Sequence, residues 1–397
     1  MRRKTLMVLA MAAVLGLAAC GGSDTSASTS TSVSAVVTDT VKEDTEPTKE
    51  VTVTEEPTAT PAPTAEALAE GMYRSELTNE AISEEIKDIR PIAVMVDNES
   101  IALPHMGLNQ ADIVYEIMNS TANGRITRFM CIVKDWRNIE QFGSVRSARP
   151  TNFLIAPEYN AILCHDGGPF YIDEYVAKDY TNNLSGGFGR FNNGKNWEFT
   201  EYITSEGYTN PDTGKTYTGL IKRIDNSGYS KTYNDYYSGP HFTFYEGGDR
   251  KLSDTPDIDP ITAKVIGVDL PYPHNSSRLV YNEETSTYDY YEYGMAHNDP
   301  LDGDKIMTFK NVIIQDVTFS QLDENGYLIY NVISQGAGYY LTNGELEPIN
   351  WIKRSETAQT EFTNATTGEP IVLNTGKTYI TLCPDDVWGE VKYTYAE

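Results

Sequence analysis

The stretch R-P-I-A-V-M-V-D-N (residues 90–98) places a short, unbroken apolar run directly before an aspartate and an asparagine. Such a run, bounded by turn residues, is typical of a buried β-strand followed by a turn. Similar runs follow at residues 126–133 and 160–164, and the second leads into His165 and Asp166. The sequence therefore predicts buried strands that each end in polar side chains.

Between these strands lies G-S-V-R-S-A-R-P (residues 143–150), which links a further predicted strand to a helix. The strand covers I-E-Q-F-G-S-V (residues 139–145), and Pro150 suits the first turn of the helix that follows. A second helix is predicted over L-N-Q-A-D-I-V-Y-E-I-M (residues 108–118), because its apolar residues recur at helical spacing.

The link contains two arginines, Arg146 and Arg149, which are the centre of the predicted binding site. Free N–H groups at a helix start favour an anion, and guanidinium groups add paired donors for carboxylate or phosphate. If the strands ending at Val96, Val145 and Cys164 are parallel, their ends meet at one sheet edge, where ligands commonly bind. The predicted ligand-binding residues are Asp97, Asn98, Arg128, Arg146, Ser147, Arg149, His165 and Asp166.

Two alternatives remain open from the sequence. The arginines could instead form structural ion pairs with Asp97, Asp112 or Glu116. The protein could also be a cell-envelope hydrolase or transferase in which His165 and Asp97 act as acid and base. The sequence contains no H-E-x-x-H, G-x-S-x-G, S-x-x-K or P-loop motif. We therefore favour a binding or interaction module over an enzyme.

An aromatic loop at residues 185–202 offers a further candidate surface. Phe188, Phe191 and Trp197 lie there among glycines and asparagines, so they could form a platform for a sugar ring or a peptide. Such loops are also ordinary packed surface segments, and this is the interpretation that we favour.

The second half of the chain alternates apolar and polar residues in short runs separated by turn sequences, which predicts a β-meander. Asp299, Asp302 and Asp304 have a calcium-like spacing but lack the full loop and its closing glutamate. No metal site and no cofactor are predicted. The remaining cysteines lie in or near apolar runs, and we expect buried free thiols; these are Cys131, Cys164 and Cys383.

Residues 1–20 have the features of an export signal: a basic start, an apolar run and the tetrapeptide L-A-A-C. The tetrapeptide resembles the lipobox of bacterial lipoproteins, so we expect Cys20 to carry the lipid and to anchor the mature chain outside the cell membrane. Residues 21–75 are rich in Ser, Thr, Pro and Glu and predict a disordered tether.

Composition and charge limit the classes of partner that the protein can have. The chain has 57 acidic and 31 basic residues and a formal net charge of -26, which excludes nucleic acid as a favoured partner. The expected partners are the membrane, through the anchor, and an anionic cell-wall fragment or envelope protein.

We predict an α+β fold with an α/β domain over residues 76–250 and a β-rich domain over residues 251–397. Layered mixed sheets and a few helices are expected in the first domain, and mainly antiparallel strands in the second.

Several ordered motifs resemble the YerB-like lipoproteins of mainly Gram-positive bacteria. In the first half these are R-P-I-A-V-M-V-D-N, G-L-N-Q-A-D-I-V-Y-E, G-R-I-T-R-F, G-S-V-R-S-A-R-P and Y-N-A-I-L-C-H-D-G-G; in the second they are K-N-V-I-I-Q, W-I-K-R and G-E-P-I-V-L-N-T-G-K-T-Y-I. The resemblance covers residues 90–384 and implies a compact α+β structure of two pieces. It implies no activity, because none is established for that family. Residues 185–202 depart from the family pattern R-x-A-P-H-N-x-Y, so the family's histidine has no counterpart there.

Replacing the predicted lipid attachment site tests the expected location. The variant Cys20→Ala should accumulate as an uncleaved precursor or be released into the medium, because it lacks the thiol that receives the lipid. Detergent phase partitioning followed by mass measurement distinguishes these forms from the lipidated mature chain. A mature-sized product that still partitions into detergent would contradict the assignment.

Overall fold

The computed structural model describes residues 67–255 and 264–396. The export signal, Cys20 and most of the predicted tether lie outside the described residues. Within the described ranges, no helix is both long and apolar enough to cross a membrane.

The first half of the described chain combines short strands with three α-helices. In chain order, these elements are β1 (Met72–Arg74), β2 (Ala81–Ser83), β3 (Ile92–Asp97), β4 (Ile113–Met118), β5 (Thr127–Val133), β6 (Phe142–Gly143), α1 (Pro150–Ile155), β7 (Ile162–His165), α2 (Asp173–Val176), β8 (Asn183–Ser185), β9 (Gly189–Arg190), β10 (Glu201–Ile203), β11 (Tyr208–Thr209), β12 (Thr216–Tyr217) and α3 (Leu220–Ser227).

The second half of the described chain is built from strands and short 3₁₀ turns. Its strands are β13 (Val265–Asp269), β14 (Arg278–Asn282), β15 (Thr287–Glu292), β16 (Met295–Ala296), β17 (Asn298–Asp299), β18 (Lys305–Ile306), β19 (Thr308–Phe309), β20 (Asn311–Val317), β21 (Phe319–Gln321), β22 (Leu328–Tyr330), β23 (Gln335–Thr342), β24 (Glu345–Ile352), β25 (Glu361–Asn364), β26 (Thr378–Pro384) and β27 (Lys392–Tyr395). The fold is α+β, as predicted from the sequence.

A single mixed sheet runs through both halves of the described chain. Its strand order is β25-β24-β23-β20-β26-β4-β5-β3-β7-β8. The halves meet where β26 pairs in parallel with β4. Every residue of β3, β4, β5 and β26 is buried. Strands covered on both faces have continuous apolar sequences rather than alternating ones, which explains the unbroken apolar run of β3.

Different layers cover the two faces of this sheet. On one face, the hydroxyl group of Tyr115 in β4 lies 2.7 Å from that of Tyr159, in the turn after α1. On the other face, Tyr290 of β15 packs against Phe129 of β5 and Tyr379 of β26. Strand β15 belongs to a second sheet of order β16-β15-β14-β13-β27, to which β19 also pairs. The core is therefore shared between residues far apart in sequence.

The predicted helix over residues 108–118 is wrong. A 3₁₀ turn covers Leu108–Gln110, and β4 follows in the middle of the sheet. The sequence pattern is misleading because Glu116 fits the solvent-facing side of a helix, whereas its side chain is fully buried. Tertiary contacts on both faces decide the structure here, and the β-branched and aromatic residues of the segment suit a strand.

The predicted strand over residues 139–145 and its parallel alignment also need correction. Only Phe142–Gly143 forms a strand, β6, which pairs with β10 outside the main sheet. Val145 forms an antiparallel bridge with Val96, whereas β3 and β7 are parallel as expected. Gly143 adopts a φ of 140°, a conformation that side chains rarely take, and the chain changes direction there.

The folded part begins earlier than the predicted end of the tether at residue 75. Strand β1 pairs antiparallel with β2, and Ser75, which follows β1, is buried. The strand is too short for periodicity to reveal it, because three residues carry no measurable alternation.

The three cysteines of the described chain are free and buried, as predicted. Burial raises the pKa of the Cys164 thiol to about 12, so this group stays protonated. Buried, protonated thiols are poor nucleophiles and metal ligands. These cysteines therefore contribute to packing.

One buried carboxylate connects the layers. Oε1 of Glu116 accepts hydrogen bonds from Thr127 and Ser277 and, at 2.8 Å, from the Asn275 amide. Oε2 accepts from the hydroxyl groups of Tyr290 and Tyr379. Five donors from four parts of the chain thus converge on one side chain. A buried charge without a cation is stable only when hydrogen bonds satisfy it in this way.

Changing this carboxylate to an amide should destabilise the fold strongly. In Glu116→Gln a single acceptor oxygen replaces two, and several buried donors lose their partner at about 1–3 kcal/mol each. The control Tyr290→Phe removes only one donor to the carboxylate and should cost about 1.5–3 kcal/mol. Urea unfolding at constant m-value measures both losses. A Glu116→Gln protein as stable as the parent would refute the proposed role of this network.

Paired truncations test where the folded part begins. A variant lacking residues 1–75 loses β1, so its melting temperature should be lower, by at least roughly 2 °C, than that of a variant lacking residues 1–66. Calorimetry of the two proteins measures the difference. Equal melting temperatures would show that β1 adds nothing to stability.

Candidate functional site

Three arginines and one aspartate meet at the end of β3. Nε of Arg146 lies 2.6 Å from Oδ2 of Asp97, and Nε of Arg128 lies 4.0 Å from the same oxygen. The Asp97 side chain is 1% exposed. Arg149 is close enough for its charge to act on Arg128. We call Arg128, Arg146 and Arg149 the arginine cluster.

The sheet itself positions these groups. Arg128 on β5 is the direct cross-strand partner of Asp97 on β3. The link after β6 runs beside β3, since the N–H of Arg146 donates to the carbonyl of Met95 at 2.9 Å. Nη1 of Arg128 donates to the carbonyl of Ser147 at 2.6 Å and holds the link in place. The half-buried Ser147 is therefore in contact with the cluster and lies between Arg146 and Arg149 in sequence.

Arg149 differs from the other two because no carboxylate of the described residues lies within ion-pair distance of it. Among the described residues it forms no ion pair within 4.0 Å, although its side chain is largely buried and its residue is only 8% exposed. Nη1 donates to the carbonyl of Ala148 at 3.0 Å, and Nε has no hydrogen-bond partner. The guanidinium lies over the ring of Tyr327 at 4.3 Å. Its donors are held in place but not all are used.

Burial and mutual repulsion lower the pKa values of two of these arginines. Burial lowers the pKa of Arg128 to about 9, and the charges of Arg149 and Arg146 act in the same direction while Asp97 opposes them. Burial, with a further contribution from Arg146, lowers the pKa of Arg149 to about 10, while Tyr327 and Asp323 oppose this shift. Both remain protonated at neutral pH, so positive charge is concentrated around a single buried carboxylate.

Other carboxylates lie at the rim of the cluster. Oε2 of Glu198 is 3.4 Å from Nη1 of Arg146, and its side chain is half-exposed. Burial and the neighbouring Asp97 raise the pKa of Glu99, whereas the nearby arginines lower it. A cavity of about 10 Å³, close to the room that one water needs, lies between Arg128 and Arg149.

The ion-pair interpretation of the arginines holds for one of the two residues. Arg146 forms the predicted ion pair with Asp97, while Arg149 does not pair with any of the expected carboxylates. Asp112 instead accepts from the backbone N–H of Lys134. The expected contribution of a helix start is absent, because Asn152 accepts the N–H of Arg149 at 2.7 Å and α1 has only six residues.

Asn98, His165 and Asp166 lie near the cluster in sequence or fold but are held by other contacts. The Asn98 amide is fully buried and donates to Thr127 at 2.9 Å. Nδ1 of His165 lies 2.7 Å from the carbonyl of Gly167, so Nδ1 carries the proton, and Nε2 accepts from Asn183. Burial lowers the pKa of His165. This histidine is a neutral, fully hydrogen-bonded group.

Asp166 belongs to a separate ion-pair group beside the cluster. Nη2 of Arg190 lies 3.0 Å from Asp166 and 2.6 Å from Glu201. Burial, assisted by Asp166, raises the pKa of Glu201 to about 8. Arg190 also lies over the indole of Trp197 at 4.4 Å. These contacts hold the aromatic loop next to Arg146.

The aromatic loop is mostly packed, as favoured from the sequence. Phe188 is buried under Arg223, and Phe191 stacks on Tyr208 at 3.9 Å. Trp197 is the exception and is 68% exposed. Two further aromatic residues were not predicted from the sequence, namely Phe170, which is 72% exposed, and Tyr327 below Arg149. The sequence Y-L-I-Y around Tyr327 does not indicate a role in binding, because only the tertiary fold brings Tyr327 close to Arg149.

The acidic turn that contains Asp299 and Asp302 forms hydrogen bonds to the loop at residues 107–109. Oδ1 and Oδ2 of Asp299 accept from the N–H groups of Gly107 and Asn109 at 3.0 and 2.9 Å. Asp302 pairs with Lys305. Both carboxylates therefore have partners within the chain.

Comparison with known proteins agrees with this architecture. Residues 77–230 match the family model described as "Protein of unknown function (DUF3048) N-terminal domain", and residues 268–380 match its C-terminal counterpart. The Bacillus subtilis (strain 168) protein named "Putative lipoprotein YerB" is 24% identical over 317 residues, which are 79% of this chain and 86% of that protein.

The crystal structure of YerB from Bacillus subtilis has a similar fold. The TM-score is 0.62 at 21% sequence identity, and the match covers 81% of this chain and 99% of that one. Both family models match in the same order as the two halves that the sequence motifs indicate. The chain therefore belongs to the YerB-like family described as DUF3048.

Proposed function

We propose that this protein is a lipid-anchored, extracytoplasmic binding module that recognises a phosphate- or carboxylate-bearing ligand of the cell envelope through the arginine cluster. The observation that supports it most is Arg149, a buried guanidinium with an unpartnered Nε and no carboxylate of the described residues within 4.0 Å. A group of this kind is costly in an empty protein and becomes favourable when an anion occupies the site.

The proposed location rests on the L-A-A-C sequence at Cys20 and on the name of the similar YerB protein. A lipid anchor would keep the binding module at the outer face of the membrane, where anionic wall polymers and peptides occur. Two acyl chains on the terminal cysteine are sufficient for stable attachment.

The geometry favours an oxyanion over a neutral ligand. Guanidinium groups provide paired N–H donors that match the oxygens of phosphate or carboxylate. Arg146 is already paired with Asp97, so it helps to orient the site, whereas Arg149 has donors to spare. The exposed Phe170 and Trp197 belong to loops that contact the same link, and they offer apolar surface for the remainder of a ligand.

The hydrolase alternative receives less support from the geometry. His165 uses both ring nitrogens in hydrogen bonds within the protein, and Asp97 is paired with Arg146. Neither group is presented to solvent as a free acid or base. We therefore retain binding as the proposed function.

Two glutamine variants separate the roles of the arginines. Arg149→Gln removes repulsion between like charges, so stability should hold or rise while affinity for inorganic phosphate or a muramyl peptide falls at least about tenfold. Arg146→Gln leaves the buried Asp97 carboxylate without its ion-pair partner and should lower the free energy of unfolding by about 3–5 kcal/mol. Thermal unfolding and calorimetric titration of each protein measure both effects.

The exposed Arg354 provides a matched control, because it pairs with Glu361 outside the cluster. Arg354→Gln should change neither stability nor anion affinity appreciably. The proposal fails if phosphate and muramyl peptide do not bind or stabilise the parent protein, or if Arg149→Gln is destabilised by several kcal/mol. Phosphate binding without peptide binding would indicate a free-anion site rather than an envelope ligand.

A further inference from the structure

A second buried polar cluster includes a histidine of the segment that follows β3. Nδ1 of His105 faces Nε2 of His297 at 3.3 Å, although 192 residues separate them in sequence. Both histidines are buried. With bonds of about 2.0–2.1 Å and a tetrahedral angle, two nitrogen ligands of zinc lie about 3.3 Å apart. The two imidazoles are thus spaced for one ion between them.

A glutamate forms a hydrogen bond with the ring nitrogen of His297 that faces away from His105. Oε1 of Glu292 lies 2.7 Å from Nδ1 of His297 and accepts its proton in a hydrogen bond. The ligand atoms of the three residues lie within 4.8 Å of one another. Metal-binding histidines usually donate their second N–H to a carboxylate in this way, which directs the lone pair of the other nitrogen towards the metal.

Two buried acceptors in this cluster lack a donor. Oε2 of Glu292 and Oδ1 of Asn98 form no hydrogen bond of good geometry. The backbone carbonyl of Asp97 is the acceptor within reach of the His105 ring, and the Asn98 side chain lies within reach of the Glu292 carboxylate. Buried acceptors without donors are rare in native proteins, and a bound cation is one way to satisfy them.

The surroundings restrict the type of ion and offer a route to it. The rings of Phe129 and Tyr290 pack against His297 at 5.9 and 5.7 Å, which excludes bulk water on that side. A cavity of about 360 Å³ is lined by Glu292, His297 and a mixture of polar and apolar residues that includes Met295. Calcium and magnesium prefer oxygen ligands, whereas imidazole nitrogen suits zinc and its neighbours.

We propose that His105 and His297 bind a divalent transition metal of the zinc type, with Glu292 orienting His297 and balancing the charge. Solvent or a small ligand reaches the remaining coordination positions through the adjacent cavity. This site is separate from the arginine cluster and uses none of its residues, so the two proposals stand or fall independently. No metal site is apparent in the sequence, because neither histidine lies in a ligand-spaced motif.

Metal titration of the untagged full-length protein tests the site. After removal of metal with a chelator, the parent should bind one equivalent of Zn²⁺, and Co²⁺ should produce the visible absorption of a nitrogen-ligated ion. His105→Gln and His297→Gln should each lower the affinity at least about 100-fold, and Glu292→Gln about 10- to 100-fold. His274→Gln is the matched control and should bind as the parent does, since the His274 ring lies outside the cluster, beside the Asn123 carbonyl and Tyr293.

Crystals of the parent soaked with Zn²⁺ give a test that does not depend on the folding of variants. An anomalous peak between Nδ1 of His105 and Nε2 of His297 is expected. The proposal is overturned if the parent binds no stoichiometric Zn²⁺ or Co²⁺, if the peak lies only on surface carboxylates, or if folded His105 and His297 variants bind as tightly as the parent.

Discussion

The buried carboxylate of Glu116 is the group on which the arrangement of the layers depends. It lies on β4, beside the parallel contact between the two halves, and its five donors come from β5, β15, β26 and the turn at residues 275–277. A carboxylate in this position is stable only if every donor arrives, so the network favours one mutual placement of the sheets. Hydrophobic packing alone would tolerate several placements.

The end of β3 illustrates how the same framework builds two different polar regions. Asp97 faces the arginine cluster, and the next residue, Asn98, faces the interior near Glu292. Successive side chains of a strand point to opposite faces, so a single strand end supplies both regions. The proposed anion site and the proposed metal site are therefore neighbours in the chain but face different layers.

The fold was largely predictable where the signal is a buried apolar run. The sequence predicted β3, β5 and β7 because such runs, bounded by turn residues, have few alternatives to a covered strand. It was wrong for β4, since one buried glutamate produced a helical pattern of polar and apolar residues. It also placed the start of the folded part too late, because β1 is only three residues long.

The candidate site also has features that the sequence predicts and features that only the fold determines. The sequence by itself determined that Arg146 and Arg149 lie in a short link after a strand, because composition and local spacing are properties of the chain. Only the tertiary structure decided that Arg146 is neutralised by Asp97, that Arg149 is not, and that His105 meets His297. Charge compensation and ligand geometry depend on contacts over a few ångströms between distant segments, and no local pattern in a single sequence encodes those distances.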